Sequence, residues 1–159
     1  MSPLAVVIAD THITSRRLRG LPEGLFEHLK GADLVLHAGD LMDPDLLDEL
    51  GGCAPVMAVR GNMDPPILPE TLEFRFGGAS VAMIHDSGLR RGRRARMQRR
   101  FPDARVVVFG HSHIPLLEDE DGLMLLNPGS PTDKRGQPHH TFALLEVEDG
   151  EVRAEILPL

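Results

Sequence analysis

Leu4 to Ala9 is an unbroken apolar run of strand length, and it stops abruptly at Asp10-Thr11-His12. Such runs belong to strands buried on both faces. Shorter ones follow at Leu34–Leu36, Val56–Val59 and Val106–Phe109. Between the first three, the pattern predicts a helix over Glu23–Lys30, opened by Pro22, and another over Pro44–Leu50, stopped by Gly51-Gly52. After Asp64 the alternation breaks. Pro65, Pro66 and Pro69 punctuate a loop, and Leu72–Phe76 with Ser80–Ile84 reads as a hairpin turned at Gly77-Gly78. An arginine-rich helix is expected over residues 91–101. The remainder is strand-like at Pro115–Leu117, Leu123–Leu126, Phe142–Val147 and Val152–Leu157, with acidic turns at 118–122 and 148–150. Strands alternating with helices and then running on as a meander predict an α/β protein with two sheets face to face and helices outside. With no repeat, linker or low-complexity tract, residues 1–159 read as one domain.

What terminates each apolar run carries the chemistry. The first ends in Asp10-x-His12, the second in Gly39-Asp40, the third in Gly61-Asn62, Val81–Ile84 in His85, and Val106–Phe109 in Gly110-His111-Ser112-His113. In an open α/β sheet the carboxyl ends of strands form the ligand crevice, so these side chains converge in space. A preceding glycine permits the tight turn that aims the next side chain inward. Two Asp, one Asn and four His make sense around cations: imidazole suits Zn, Mn, Fe, Ni or Co, and carboxylate or amide oxygen suits harder ions. Seven ligands are too many for one tetrahedral site. They fit two metals that share a carboxylate and activate water for in-line displacement at phosphorus.

Composition narrows the field. Cys53 is the only cysteine, so no internal disulfide and no thiolate cluster can form, and a buried free thiol suits the cytoplasm. With no Trp or Tyr, base-stacking platforms for single strands are absent. A net charge of −7 argues against general nucleic-acid binding. The opening apolar run is too short for a membrane span or signal peptide. The basic residues cluster, however: Arg90, Arg91, Arg93, Arg94, Arg96, Arg99 and Arg100 fall within eleven positions. This stripe reads as a solvated helix face or, more sharply, as a phosphate-attracting rim, with Arg90 and Arg91 at a helix start capturing substrate. Arg60, just before Gly61, is a further phosphate contact.

Asp10-x-His12, Gly39-Asp40, Gly61-Asn62-x-Asp64, His85, Gly110-His111-x-His113 and Asn127-Pro128-Gly129-Ser130 together resemble the calcineurin-like metallophosphoesterase superfamily, most closely its small stand-alone prokaryotic phosphodiesterases of the YfcE type. The resemblance implies a four-layer α/β/β/α sandwich of two mixed sheets flanked by helices. It assigns Asp10, His12 and His113 to a first metal, Asp40 to a bridge, and Asn62, His85 and His111 to a second. Asp40, Asn62, His85 and the supporting Asp64 would carry catalysis, in which a metal-bridging hydroxide attacks a phosphodiester in line. Two divalent ions are implied, Mn2+ first, with Ni2+, Zn2+, Fe2+ or Co2+ as alternatives. The substrate would be a small phosphodiester, a nucleotide among the options, and relatives often form homo-oligomers.

Two positions depart from the family pattern. Met63 stands where many superfamily phosphatases place a histidine that protonates the leaving group, and where close relatives usually carry cysteine. Asp86-Ser87-Gly88 stands where the branch commonly continues with Gly-His. Two rival functions follow from the same resemblance: a non-catalytic metal-binding scaffold for protein contacts, as in the retromer subunit of this fold, and a phosphomonoesterase. Retention of all seven ligands opposes the first, and Met63 opposes the second. Among the other histidines, His37 reads as a core or supporting residue, His28 as an ordinary helix residue, and His139-His140 as a surface turn.

Overall fold

The computed structural model describes residues 2–12 and 20–159. Ten strands and three helices are present among them: β1 (Leu4–Ile8), α1 (Glu23–Lys30), β2 (Leu34–His37), α2 (Asp45–Gly51), β3 (Val56–Ala58), β4 (Thr71–Phe76), β5 (Ala79–Ile84), α3 (Arg93–Arg100), β6 (Val106–Val108), β7 (Leu116–Glu120), β8 (Leu123–Asn127), β9 (Thr141–Glu148) and β10 (Glu151–Pro158). They build two five-stranded mixed sheets, ordered β10-β9-β1-β2-β3 and β4-β5-β6-β8-β7. Within the first, β1, β2 and β3 are parallel; within the second, β5, β6 and β8 are. Three apolar layers hold the four structural layers together. On β1 the period-two alternation is explicit: Ala5, Val7 and Ala9 face the space between the sheets, where they meet Val81, Met83, Val106 and Val108. Val6 and Ile8 point the other way, onto Leu25 and Leu29 of α1 and Leu46 and Leu50 of α2. A strand buried on both faces must be apolar throughout, which is why β1 shows no polar residue. The third layer sets Met97 and Phe101, at the end of α3, against Ala82, Val107 and Leu125.

The acidic stretch expected as a turn is mostly strand. Glu118, Asp119 and Glu120 continue β7 and pair with Leu125, Met124 and Leu123, leaving only Asp121-Gly122 as the turn. Their charges are met from outside the sheet: both guanidinium nitrogens of Arg105 donate to Asp119 at 2.8 and 3.1 Å, and Arg94 reaches Glu118. A charged run at a sheet edge is tolerated on these terms and also discourages edge-to-edge pairing. Cys53 is half-buried at the turn after α2 rather than fully enclosed. None of the described helices is long and apolar enough to cross a membrane.

Candidate metal centre

Five strands deliver the chemistry to one edge of the sandwich. Asp10, Asp40 and Asn62 follow β1, β2 and β3; His85 follows β5, and His111 and His113 follow β6. Two ligand groups result, Asp10 with His12 and His113, and Asp40 with His85 and His111, the donor atoms of each lying within 4.8 Å of one another. The groups touch. Asp40 Oδ2 lies 3.3 Å from His85 Nε2 and 3.7 Å from His12 Nε2, so one carboxylate faces both. Asp10 Oδ1 is 3.7 Å from His113 Nε2 and 3.9 Å from His85 Nε2.

The donor set fits cations. Both carboxylate oxygens of Asp10 and the Nε2 of His85 are buried without a hydrogen-bond partner. An isolated buried carboxylate is costly unless protonated or paired. Burial pushes the Asp10 pKa up to about 7, against the opposing pull of His85 and of the His111 N–H, which leans toward the carboxylate without reaching hydrogen-bond geometry. Burial also disfavours ionised Asp40, but His85, the Met63 N–H and His12 outweigh it and bring its pKa down to about 2. Two imidazoles are fixed by their second nitrogens: His85 Nδ1 lies 2.7 Å from the Ala38 carbonyl, and His113 Nδ1 pairs with the Asp133 carbonyl. Donation from Nδ1 to a carbonyl leaves Nε2 as an unprotonated lone pair aimed at the site, as metal-binding histidines are held.

The ligand backbones are themselves unusual. Asp10 (φ 55°), His12 (48°), Asp40 (60°), His111 (73°) and His113 (62°) all occupy the left-handed region. Each such non-glycine residue costs on the order of 1–3 kcal/mol and persists only where its surroundings dictate it. The tight turn expected at the preceding glycines would itself call for a positive φ there. It holds for Gly39, at φ 100°. Gly61 is needed for space instead, because a Cβ there would collide with the Asp40 backbone nitrogen and carboxylate. The strained loops are laced together: Asp10 N–H donates to Gly39 O and His12 N–H to Asp40 O, both at 2.9 Å.

A ring of polar residues braces them. Asp64 accepts from three backbone N–H groups, those of Asp40 (2.7 Å), Met42 (2.8 Å) and Gly61 (2.8 Å), which makes it a positioning residue for the Asp40 loop. Asp64→Ala would orphan all three donors. We expect a loss of roughly 2–3 kcal/mol in denaturant unfolding and a ten- to hundredfold fall in metal affinity by titration, in about the range found for supporting residues elsewhere. Buried Ser130 donates to the Asp10 carbonyl at 2.8 Å, and buried Asn127 donates to Gly110 O and Ser112 Oγ, so the Asn127–Ser130 turn does pack against the ligand loops. His37 is a core residue: Gly39 N–H donates to its Nδ1 and its Nε2 meets Thr11 Oγ1, with burial bringing its pKa down to about 4. Thr132, which donates to the Thr11 carbonyl, and Asp133, which acts through its backbone, carried no recognisable signal in the sequence.

Beside Asn62 and His85 opens a cavity of about 430 Å3. Arg60 lines it, its Nη2 held by Glu70 at 2.7 Å. Asp86 lines it too, with Oδ2 3.9 Å from His111 Nε2. Arg90 does not: it lines a separate cavity with Arg93, Arg94 and Glu118. The helix start expected beside the site lies there, where Arg94 donates to carbonyls of β7 and β8. Its last residue, Arg100, is the one that lines the cavity next to Asn62 and His85. Arg91 is exposed and lines neither cavity. Met63 is exposed, and its N–H donates to Asp40 Oδ1 at 2.9 Å.

Comparison with known proteins matches this geometry. The chain is 36% identical over 156 residues to a probable metallophosphoesterase of Methanocaldococcus jannaschii, covering 96% of this chain and 80% of that protein. The structure of Vps29 from Entamoeba histolytica complexed with zinc superposes with a TM-score of 0.78 at 27% identity, covering 98% of both chains. A novel archaeal phosphodiesterase shares the fold at 19% identity, with a TM-score of 0.74 and coverage of 97% of this chain and 99% of that one. A family model described as the calcineurin-like phosphoesterase superfamily domain matches residues 4–150, and with two candidate metal-ligand groups at the strand ends of a two-sheet sandwich, the chain belongs to that superfamily.

Proposed function

We propose that this protein is a two-metal phosphodiesterase. The observation that carries the reading is the pair of facing donor groups built on two buried carboxylates, in which Asp10 has no hydrogen-bond partner and Asp40 addresses imidazoles on both sides. Asp10, His12 and His113 hold one divalent ion; Asn62, His85 and His111 hold the other; Asp40 is shared. Bound there, two divalent cations supply the charge that activates water and stabilises an in-line displacement at phosphorus. The chain's own residues orient and enclose the reaction: Asn62 and His85 meet the substrate where the cavity opens, and Asp64 keeps the Asp40 loop in register. Met63 has no proton to give, so the leaving group departs unassisted from that side, which favours esters with good leaving groups. Membership of the superfamily puts Mn2+ first, and four imidazoles with carboxylate and amide oxygen leave Ni2+, Zn2+, Fe2+ and Co2+ as competitors. A cytoplasmic enzyme of one domain acting on small diesters, nucleotides included, completes the reading.

The test is hydrolysis of bis-p-nitrophenyl phosphate and of p-nitrophenyl phosphate by chelator-stripped protein, with each metal added back in turn. Diester cleavage restored by metal, and exceeding monoester cleavage, is expected. Faster monoester cleavage would make the protein a phosphomonoesterase. The similarity to zinc-complexed Vps29 keeps a scaffold reading in view; stoichiometric metal binding without cleavage of either ester would favour it.

A further inference from the structure

The arginines around α3 divide by what holds them. Arg94 is spent on three carbonyls of the β7–β8 hairpin. Arg96 donates to the carbonyls of Ser87 and Leu89, and Arg93 stacks on Phe109 at 4.8 Å. These three fasten the helix to the strands and loop beside it. Arg100 makes no hydrogen bond or ion pair with the described residues; its only close partner is the face of its neighbour Phe101, at 5.8 Å. It stands at the wall of the cavity that Asn62 and His85 also line. The other charges there are engaged: Glu70 pairs with Arg60, Asp64 is saturated by backbone N–H groups, and Asp86 faces His111. Arg100 is thus the one cation of that wall without a counter-charge among the described residues. The cavity, at about 430 Å3, is of ligand size and far exceeds what a single phosphate fills.

We infer that Arg100 binds a second phosphate, so that the substrates of this enzyme are phosphodiesters bearing an additional phosphate away from the scissile one, as in a nucleoside bisphosphate ester. The inference rests on the phosphodiesterase reading for its reaction but not for its binding. A guanidinium offers a planar pair of donors that matches phosphate oxygens, and it stays charged at every working pH. No phenylalanine lines the cavity among the described residues, which favours selection of the substrate by charge over base stacking.

Two substrates isolate the effect: the p-nitrophenyl ester of thymidine 5′-phosphate, and the same ester carrying a 3′-phosphate. The scissile bond and leaving group are identical. We expect the metal-loaded enzyme to prefer the second by between about ten- and a hundredfold in kcat/KM, mainly through KM, with the preference shrinking as salt rises. In Arg100→Gln the preference should collapse toward unity, whereas Arg99→Gln, which does not line the cavity, should keep it. Calorimetry with thymidine 3′,5′-bisphosphate against thymidine 5′-phosphate gives the same ratio without turnover, in wild type and in Arg100→Gln. Equal affinities in wild type, or a preference that survives Arg100→Gln, would overturn the inference. An enzyme inert to every ester would sink the phosphodiesterase reading, and the calorimetric ratio would still decide the role of Arg100.

Discussion

Asp40→Asn is expected to lower metal-dependent diester hydrolysis on the order of a thousandfold while leaving the fold standing. The change removes charge and little else. Asp40 has a pKa near 2, so across ordinary pH it contributes a full negative charge at the point where both ligand groups meet. Asparagine keeps the oxygen that accepts the Met63 N–H at 2.9 Å, and it keeps the backbone nitrogen that Asp64 holds. The loop should therefore retain its shape, with a nearly unchanged unfolding midpoint in metal-free protein. The amide cannot serve two cations as a carboxylate does, so metal content should fall below two ions per chain by elemental analysis. Activity within tenfold of wild type would remove Asp40 from the shared position and undo the two-metal assignment.

The seven candidate ligands were legible in the sequence because each sits where an apolar run stops, and apolar runs are what a buried strand must look like. Their grouping was not legible from the residues alone, since periodicity says nothing about sheet order. The chain passes from β6 to β7 and β8, yet β8 lies next to β6 and β7 takes the edge. That crossover brings Asn127 and Ser130 under the ligand loops. The β7 edge was misread for a local reason: Glu118-Asp-Glu has poor strand propensity, and only the distant Arg94 and Arg105 make it tolerable. The arginine stripe is plain in the sequence, but nothing in it says which arginine reaches the cavity: Arg100, at the end of α3, lines it, and Arg90 and Arg91, before its start, do not. The left-handed ligand backbones were invisible for a further reason. Aspartate and histidine do not announce positive φ as glycine does, and only the hydrogen bonds between loops hold them there.

Asp10→Asn should stabilise the metal-free protein, and increasingly so as pH rises. Folded Asp10 keeps its proton up to about pH 7, whereas the unfolded chain releases it near 3.8. Between those values the folded state binds more protons, so each step up in pH costs stability until the whole penalty is in place above 7. The shift corresponds to roughly 4 kcal/mol at pH 8, and to about 1.5 kcal/mol at pH 5. Asparagine never ionises and escapes that cost. His37 works in the opposite direction: with a folded pKa near 4 its contribution grows between pH 4 and 6.5. It is present in both proteins, so it cancels in their difference. Denaturant unfolding of chelated wild type and Asp10→Asn at pH 5 and pH 8 should give a gap that widens with pH. Saturating divalent metal should then reverse the order at pH 5 and narrow the gap at pH 8, because wild type gains about 2.7 kcal/mol at a hundredfold excess over Kd and the variant gains little. A metal-free variant less stable than wild type at pH 8 would mean that Asp10 serves the fold through contacts of its own. A stabilised variant whose advantage metal abolishes would mean that the protein carries an unstable carboxylate for the sake of the cation it binds.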